Sequence, residues 1–378
     1  MTSRCRHRTG FLALVAVAMV VAACGSSSSS SSSGAPTASG STAACVTRAR
    51  AATEKAEAPL TVTLPPGPID LSKVAGKNVW LLVEIQNEFA QTLEAGFKAA
   101  AKAAGVTTHF YYGTGTVASW NAGVAQAVAA HADAILLFAI NPGLVSAPLA
   151  AATAKHITIV DMFNGLPDEP LAKGVFAHIT ADWTADGVKM GNWALADSGC
   201  KLNAAIFSPS VLPILNEEIA GVKQTISSNC PSCKVSSTNV DLGTLSSSLG
   251  PQVTSAIGRD PNINYLIPSF DGLVPLVLPS VQGKTLKLVS HDGIPSSLNL
   301  IRQDAGENAT AAQPPGEWMG WAMIDQLLRG MTGGKPANWL IPVRMIDKSN
   351  IGASNSGLWT GGWVTYPTKF VDIWRGRS

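Results

Sequence analysis

Short apolar runs alternating with helix-period segments constrain this chain more than any other feature. Val79 to Val83 (Val-Trp-Leu-Leu-Val) is apolar without a break, bounded by Gly76 and by the polar Glu84-Ile85-Gln86-Asn87. Such a run suits a strand buried on both faces of a parallel sheet. Phe89, Leu93, Phe97 and Ala100 then recur at helical spacing, and Gly105 closes the helix. The same alternation predicts strands at Thr107–Tyr112, Asp133–Ile140, Thr158–Met162 and Val175–Ile179, with helices from about Ser119 to Ala130 and Ala147 to Ala154. It restarts with strands at Ala204–Phe207, Val235–Ser237, Tyr265–Pro268 and Leu286–Ser290 around helices at Glu217–Ser227, Ser246–Arg259 and Leu273–Val281. Strands and helices in this order make right-handed βαβ units on parallel sheets. Two such runs predict an α/β chain of two lobes, with a ligand cleft between them.

The N-terminus carries a different signal. Arg4, Arg6, His7 and Arg8 precede an apolar stretch, Phe11 to Val21, too short to cross a membrane. Val21-Ala22-Ala23-Cys24 follows and resembles the lipobox of bacterial lipoproteins. That resemblance implies cleavage after residue 23, lipidation of Cys24 and anchoring to the outer face of the cytoplasmic membrane. An unbroken serine run, Ser26 to Ser33, and an Ala-, Thr- and Pro-rich stretch from Cys45 to Pro68 read as a tether over residues 24–68. The folded body is expected from about Ile69.

Outside the cytosol disulfides persist. Cys200, Cys230 and Cys233 are the candidates, with Cys200 expected to pair with Cys230 or Cys233; Cys45 is unassigned. A redox role for Cys230-Pro231-Ser232-Cys233 would want its first cysteine at a helix N-terminus, whereas here a helix precedes the pair. No histidine has zinc spacing nearby, and no metal or cofactor is expected. The net charge of +2 over 378 residues, with no basic patch, argues against nucleic acid. Gly113-x-Gly115-x-x-Ala118 matches a loose dinucleotide fingerprint but lies on the second strand, and the acid about 20 residues on, Asp133, stands at the start of the next strand rather than its end, so it reads as a turn.

Several blocks in order resemble the periplasmic sugar-binding proteins of the ribose- and galactose-binding type, the solute receptors of ABC importers. These are Asn87-x-Phe89 with Leu93 and Gly96, Asp133-Ala-Ile-Leu, His178-Ile179-x-x-Asp182 with Gly187 and Gly191, Asp271, His291-Asp292-Gly293, and Ala312-Gln313-x-Pro315. The resemblance implies two Rossmann-like lobes of the type I periplasmic binding protein fold, joined by a hinge of three crossings near Thr180, Gln313 and Val343. The lobes would be residues 69–180 plus 313–342 and residues 181–312 plus 343–378. It implies that Phe89 stacks on a sugar face, that Asn87 and Asp292 bond hydroxyls, and that Gln313 contributes from the hinge. Phe163 and Asn164, with Asp161 adjacent, fall where a polar pair closes the fourth strand; Asp182 and Asp271 complete the expected ligand set.

The chain departs from the family pattern in places. Asn216-Glu217-Glu218 stands where an arginine is usual, Phe270 precedes Asp271, His291 precedes Asp292 and Glu88 precedes Phe89. Losing the cationic fork argues against an anionic ligand and for a neutral sugar, polyol or less polar solute. Trp120 and Trp183 are placed near the cleft, Trp318 and Trp321 in packing, Glu217 and Glu218 on a solvated helix face, and His291 in the wall. No nucleophile is paired with His291, so no catalytic residue is assigned. The expected protein is a monomeric, non-enzymatic receptor that delivers ligand to an ABC permease. A receptor that presents ligand to a sensor kinase, a redox lipoprotein or enzyme using Cys230 and Cys233, and a purine-nucleoside receptor are the alternatives. Trp359 to Trp374, with Gly361-Gly362, reads as a C-terminal strand or hairpin.

Overall fold

Two sheets organise the chain, each with its strands led in by the apolar runs seen in the sequence. In this computed structural model the described residues are 38–60, 64, 67–337, 339–354 and 365–377. The signal segment, Cys24, the serine run, Trp359 and Gly361-Gly362 lie outside them. Residues 38–378 form one compact unit.

The first lobe begins with β1 (Asn78–Val83), α2 (Glu88–Ala104) and β2 (Thr107–Tyr112), following the N-terminal helix α1 (Ala38–Ala56). It continues through α3 (Val117–Ala129), β3 (Ala134–Phe138), α4 (Ser146–Ala154), β4 (Thr158–Met162) and β5 (Ala177–Thr180). The chain then builds the second lobe from α5 (Trp183–Asp197), β6 (Asn203–Ser208), α6 (Pro213–Asn229), β7 (Lys234–Asn239), α7 (Leu245–Arg259) and β8 (Tyr265–Pro268). α8 (Val274–Val281), β9 (Lys287–Asp292), α9 (Pro295–Gln303) and β10 (Ala309–Ala312) follow. It returns to the first lobe as α10 (Gly316–Met331) and β11 (Trp339–Leu340), crosses again to β12 (Arg344–Asp347), and ends in α11 (Tyr366–Trp374).

The first sheet has the order β11-β5-β4-β3-β1-β2 and is parallel throughout. The second has the order β12-β10-β9-β8-β6-β7, with β12 antiparallel to β10. The matching orders make the lobes structural repeats of one another. Position explains composition: β3 (AILLF) is central and wholly buried, whereas β7 (KVSSTN) is an edge strand with exposed polar residues.

Each lobe uses glycine for one close helix crossing. α2 meets α10 where a Cβ on Gly96 would lie 1.9 Å from the Glu317 carbonyl oxygen. α5 meets α6 where a Cβ on Gly187 would lie 1.9 Å from the Glu218 carbonyl oxygen. α10 is buried nearly all round, because α2 covers one side, the first sheet another, and α11 a third. Trp318 and Trp321 pack there with Trp339, Phe370 and Trp374, as expected of packing residues. Asp325 and Arg329 form a buried two-contact ion pair, and Trp374 Nε1 donates to Asp325.

Four expectations are corrected. Cys45 to Pro68 is not wholly tether: α1 spans Ala38–Ala56 and packs on α5. Cys200 pairs with Cys45, and Cys230 pairs with Cys233. The reason is that α1 brings Cys45 against the end of α5, an approach that helix-free composition cues had hidden. The segment before Trp374 is helix, not hairpin, and α11 packs on α10 and α2 of the first lobe rather than on the second. Its apolar stripe, with Phe370 and Trp374 four residues apart, fits a helix that covers α10. Glu218 is fully buried rather than solvated, since the α5–α6 crossing turns its face inward.

Candidate functional site

The carboxyl ends of the parallel strands, where ligands collect in open α/β sheets, face one another across the hinge. A pocket lies there. From the first lobe come Glu84, Asn87, Phe89, Phe138, Ala139 and Phe163. Trp183 enters at the first crossing, and Leu212, Ile214, Leu215, Phe270 and Asp292 come from the second lobe. Its free volume is about 40 Å³, room for a few waters rather than a sugar ring. The lobes are in contact at the rim. Ser296 N donates to Glu88 Oε1 at 3.0 Å, and a Cβ on Gly115 would lie 2.8 Å from the Leu242 carbonyl carbon.

The walls are aromatic in sequence. Phe89 lies near-parallel to Phe163 at 6.5 Å, and both approach Phe138. Phe163 meets Trp183 edge-on at 4.9 Å, and Trp183 meets His291 at 4.9 Å. Phe163 has φ +61° and Asp292 φ +123°, backbone states that non-glycine residues adopt only when their surroundings hold them there. Gln313 N donates to the Asp292 carbonyl at 2.9 Å and helps to fix that turn.

Acidic groups concentrate behind and within the pocket. Glu84 ends the β1 run; its carbonyl accepts from Trp120 Nε1 and Gly115 N, while Oε2 has no partner among the described residues. Burial, and then the charge of Asp292, push its pKa up to about 8. His291 Nδ1 lies 3.4 Å from Asp292 Oδ1 and 3.8 Å from Glu218 Oε2, and its Nε2 is 3.7 Å from Asp186 Oδ2. Burial opposes a charged His291, but Glu218, Asp186 and Asp292 outweigh it and hold its pKa well above the usual value. Burial also raises Glu218 to about 8, against the lowering influence of His291.

The structure brings together part of the expected ligand set. Asn87, Phe89, Phe163 and Asp292 line the pocket. Asn87 Oδ1 is occupied by Ala90 N as the cap of α2, so its amide nitrogen is the group left for a ligand. Gln313 is buried just behind Asp292, and neither end of its amide has a hydrogen-bond partner among the described residues. The other three are engaged elsewhere. Asn164 donates to the Met162 carbonyl. Asp182 is exposed and caps α5 through Ala185 N. Asp271 is buried and accepts from Ser290, Thr310, Gly293 N and Ile294 N, which shapes the turn beneath Asp292. Asp161 is buried within β4, and Trp120 stands behind Glu84.

Sequence reasoning missed Glu84 and Phe138. Both end central strands, and a carboxylate directly after an apolar strand was the available signal for Glu84. Leu212, Ile214 and Leu215 carried no such signal.

Two α/β lobes built on mostly parallel sheets and meeting over an aromatic and acidic pocket have the architecture of a two-lobed binding protein. Residues 79–335 match the periplasmic binding protein domain, and the chain belongs to that family. Among solved structures, a solute-binding protein of an ABC transporter from Agrobacterium vitis, bound with α-D-tagatopyranose, is 17% identical with a TM-score of 0.66, covering 75% of this chain and 99% of that one. A carbohydrate transporter protein from Acidothermus cellulolyticus, in complex with myo-inositol, is 18% identical with a TM-score of 0.62, covering 80% and 100%. A sugar ABC transporter protein from Yersinia enterocolitica is 15% identical with a TM-score of 0.69, covering 84% and 100%. At these identities the likeness is one of fold. No curated protein matches the sequence.

Proposed function

We propose that this chain is a lipid-anchored extracytoplasmic receptor that captures a small sugar- or polyol-like solute between its lobes and delivers it to an ABC permease. The observation that carries the reading is the pocket itself: stacked rings and two buried carboxyls, contributed by both lobes, with rims in contact. Ligand would favour the closed state by touching both walls at once. Phe89 and Phe163 would cover the ring faces, and Asn87 and Asp292 would bond polar groups at its edge. Gln313, with its amide unpartnered, is suited to join them when the lobes readjust around the ligand. The proteins with bound tagatopyranose and myo-inositol share this fold, which supports a ring-shaped solute. Cys24 would hold the receptor at the membrane; among the described residues no helix is long and apolar enough to cross one.

The test is a thermal-shift panel of sugars, polyols, nucleosides and amino acids on the intact protein. A ligand at a hundred times its dissociation constant adds about 2.7 kcal/mol of stability. The expected result is a clear shift with one class, lost in Phe89→Ala and Asp292→Ala. Silence across the panel would overturn the reading.

A further inference from the structure

The polar chemistry of the pocket is one-sided. Its titratable lining groups are the carboxyls of Glu84 and Asp292, and no lysine, arginine or histidine among the described residues lines it. Asn87 is the one amide in the lining, with its oxygen already used. Trp183 Nε1 is turned to Thr180 Oγ1 at 3.2 Å. The walls therefore present acceptors with few donors. A neutral sugar ring could donate hydroxyls to these carboxyls, but its oxygens would find few donors in return.

Glu84 adds an independent sign of a missing partner. It is 5% exposed, its Oε2 is unpartnered, and it lines the pocket from the first lobe while Asp292 does so from the second. Phe89, Phe138, Phe163, Trp183 and Phe270 stand around the pair. A protonated amine has only donors to satisfy, and both carboxylates and aromatic faces attract it. We infer, on the basis of the receptor reading above, that the ligand carries a protonated amine, seated between Glu84 and Asp292 with its ring against the aromatic wall.

The surrounding charges agree. His291, facing Glu218, Asp186 and Asp292, lies on the Asp292 side, and Lys189 is paired with Asp186. Asp271 is held by its own hydrogen bonds. Among the described lining residues no cation answers Glu84. Burial holds a proton on Glu84 near neutral pH. An arriving ammonium would displace that proton to solvent, leaving a carboxylate facing the ammonium, with no other bond made or broken.

Calorimetry on the intact protein, purified in detergent, tests this with two isosteric pairs: D-glucosamine against D-glucose, and cyclohexylamine against cyclohexanol. The expected result is that at least one amine binds about tenfold or more tighter than its hydroxyl partner, as charge-assisted contacts require. Its binding heat should also vary with buffer ionisation enthalpy, reporting proton release. Glu84→Gln should remove both effects, and Asp292→Asn should weaken the preference if Glu84→Gln does not fold. Equal or tighter binding of the neutral partners would overturn the amine inference and leave the receptor reading standing. No binding by any of the four would also overturn it, while the receptor reading would fall only if the wider panel were silent too.

Discussion

At the scale of single residues, Glu84 shows how burial turns an ordinary side chain into a poised one. It is held at the end of a central strand, deprived of a counter-ion, and has a pKa of about 8 against an ordinary 4.5. Asp161, raised to about 7 by burial alone, behaves likewise. In both cases the folded chain holds a proton that the unfolded chain gives up at lower pH. Their contribution to stability is therefore full below the unfolded values, 3.8 for Asp161 and 4.5 for Glu84, and is lost as pH rises through about 7 to 8. The raised pKa of His291 has the same sign: its contribution is full below the unfolded value and is lost as pH climbs through the folded one. The melting temperature of the unliganded protein should fall between about pH 5 and pH 9. Glu84→Gln should flatten part of that slope; an unchanged slope would mean that Glu84 is ionised when folded. Phe89 works through area and shape instead. Phe89→Ala should weaken ligand binding by roughly tenfold to a hundredfold, the range expected for losing an aromatic platform, as measured by titration calorimetry.

At the scale of elements, the helix crossings and the rim are the sensitive joints. Gly96 lets α2 approach α10 so closely that any side chain would strike the Glu317 backbone. Gly96→Val should destabilise the protein by about 1–3 kcal/mol or more through overpacking, read from denaturant unfolding. The loop after β2 behaves differently, because it touches the other lobe rather than its own core. Gly115 has φ +76° and lies against Leu242 and Gly243. Gly115→Ala should hold the rim apart and lower ligand affinity by roughly tenfold, with a smaller loss of stability than Gly96→Val. Affinity equal to that of the parent would show that this lip is not part of closure. The helix, strand and turn pattern that sets these joints was legible, since each strand from β1 to β9 was expected near its observed place. The Gly113–Gly115 segment was rightly read as a turn, but its role as a lip was hidden because its partner, Leu242, is more than a hundred residues away.

At the scale of the whole molecule, α1 is fastened to the second lobe by Cys45–Cys200, a link spanning 155 residues. Arg48 adds a bond to Asn229, and Arg344 Nε donates to the Glu57 carbonyl. A covalent link over so long a loop restricts the unfolded chain strongly, so Cys45→Ser should cost about 2–4 kcal/mol, and more if α1 detaches. Unfolding under non-reducing and reducing conditions would measure it; no difference would mean that the link does not form or does not constrain the unfolded chain.

The sequence by itself determined the alternation of strand and helix, the two repeated lobes and the positions of Asn87, Phe89 and Asp292 at strand ends. These follow from local periodicity and from the rule that ligands meet the carboxyl ends of parallel strands. Only the tertiary structure decided which polar groups face the pocket. Asp182 and Asp271 looked equivalent to Asp292 in the chain, yet one caps a helix in the open and the other is consumed beneath a turn. Glu218 looked like a solvated helix residue and Glu84 like the start of a polar loop, and both are buried. A carboxylate costs or contributes according to its partners and its distance from water, and both are set by segments that lie far apart in the chain and meet only when the lobes are built.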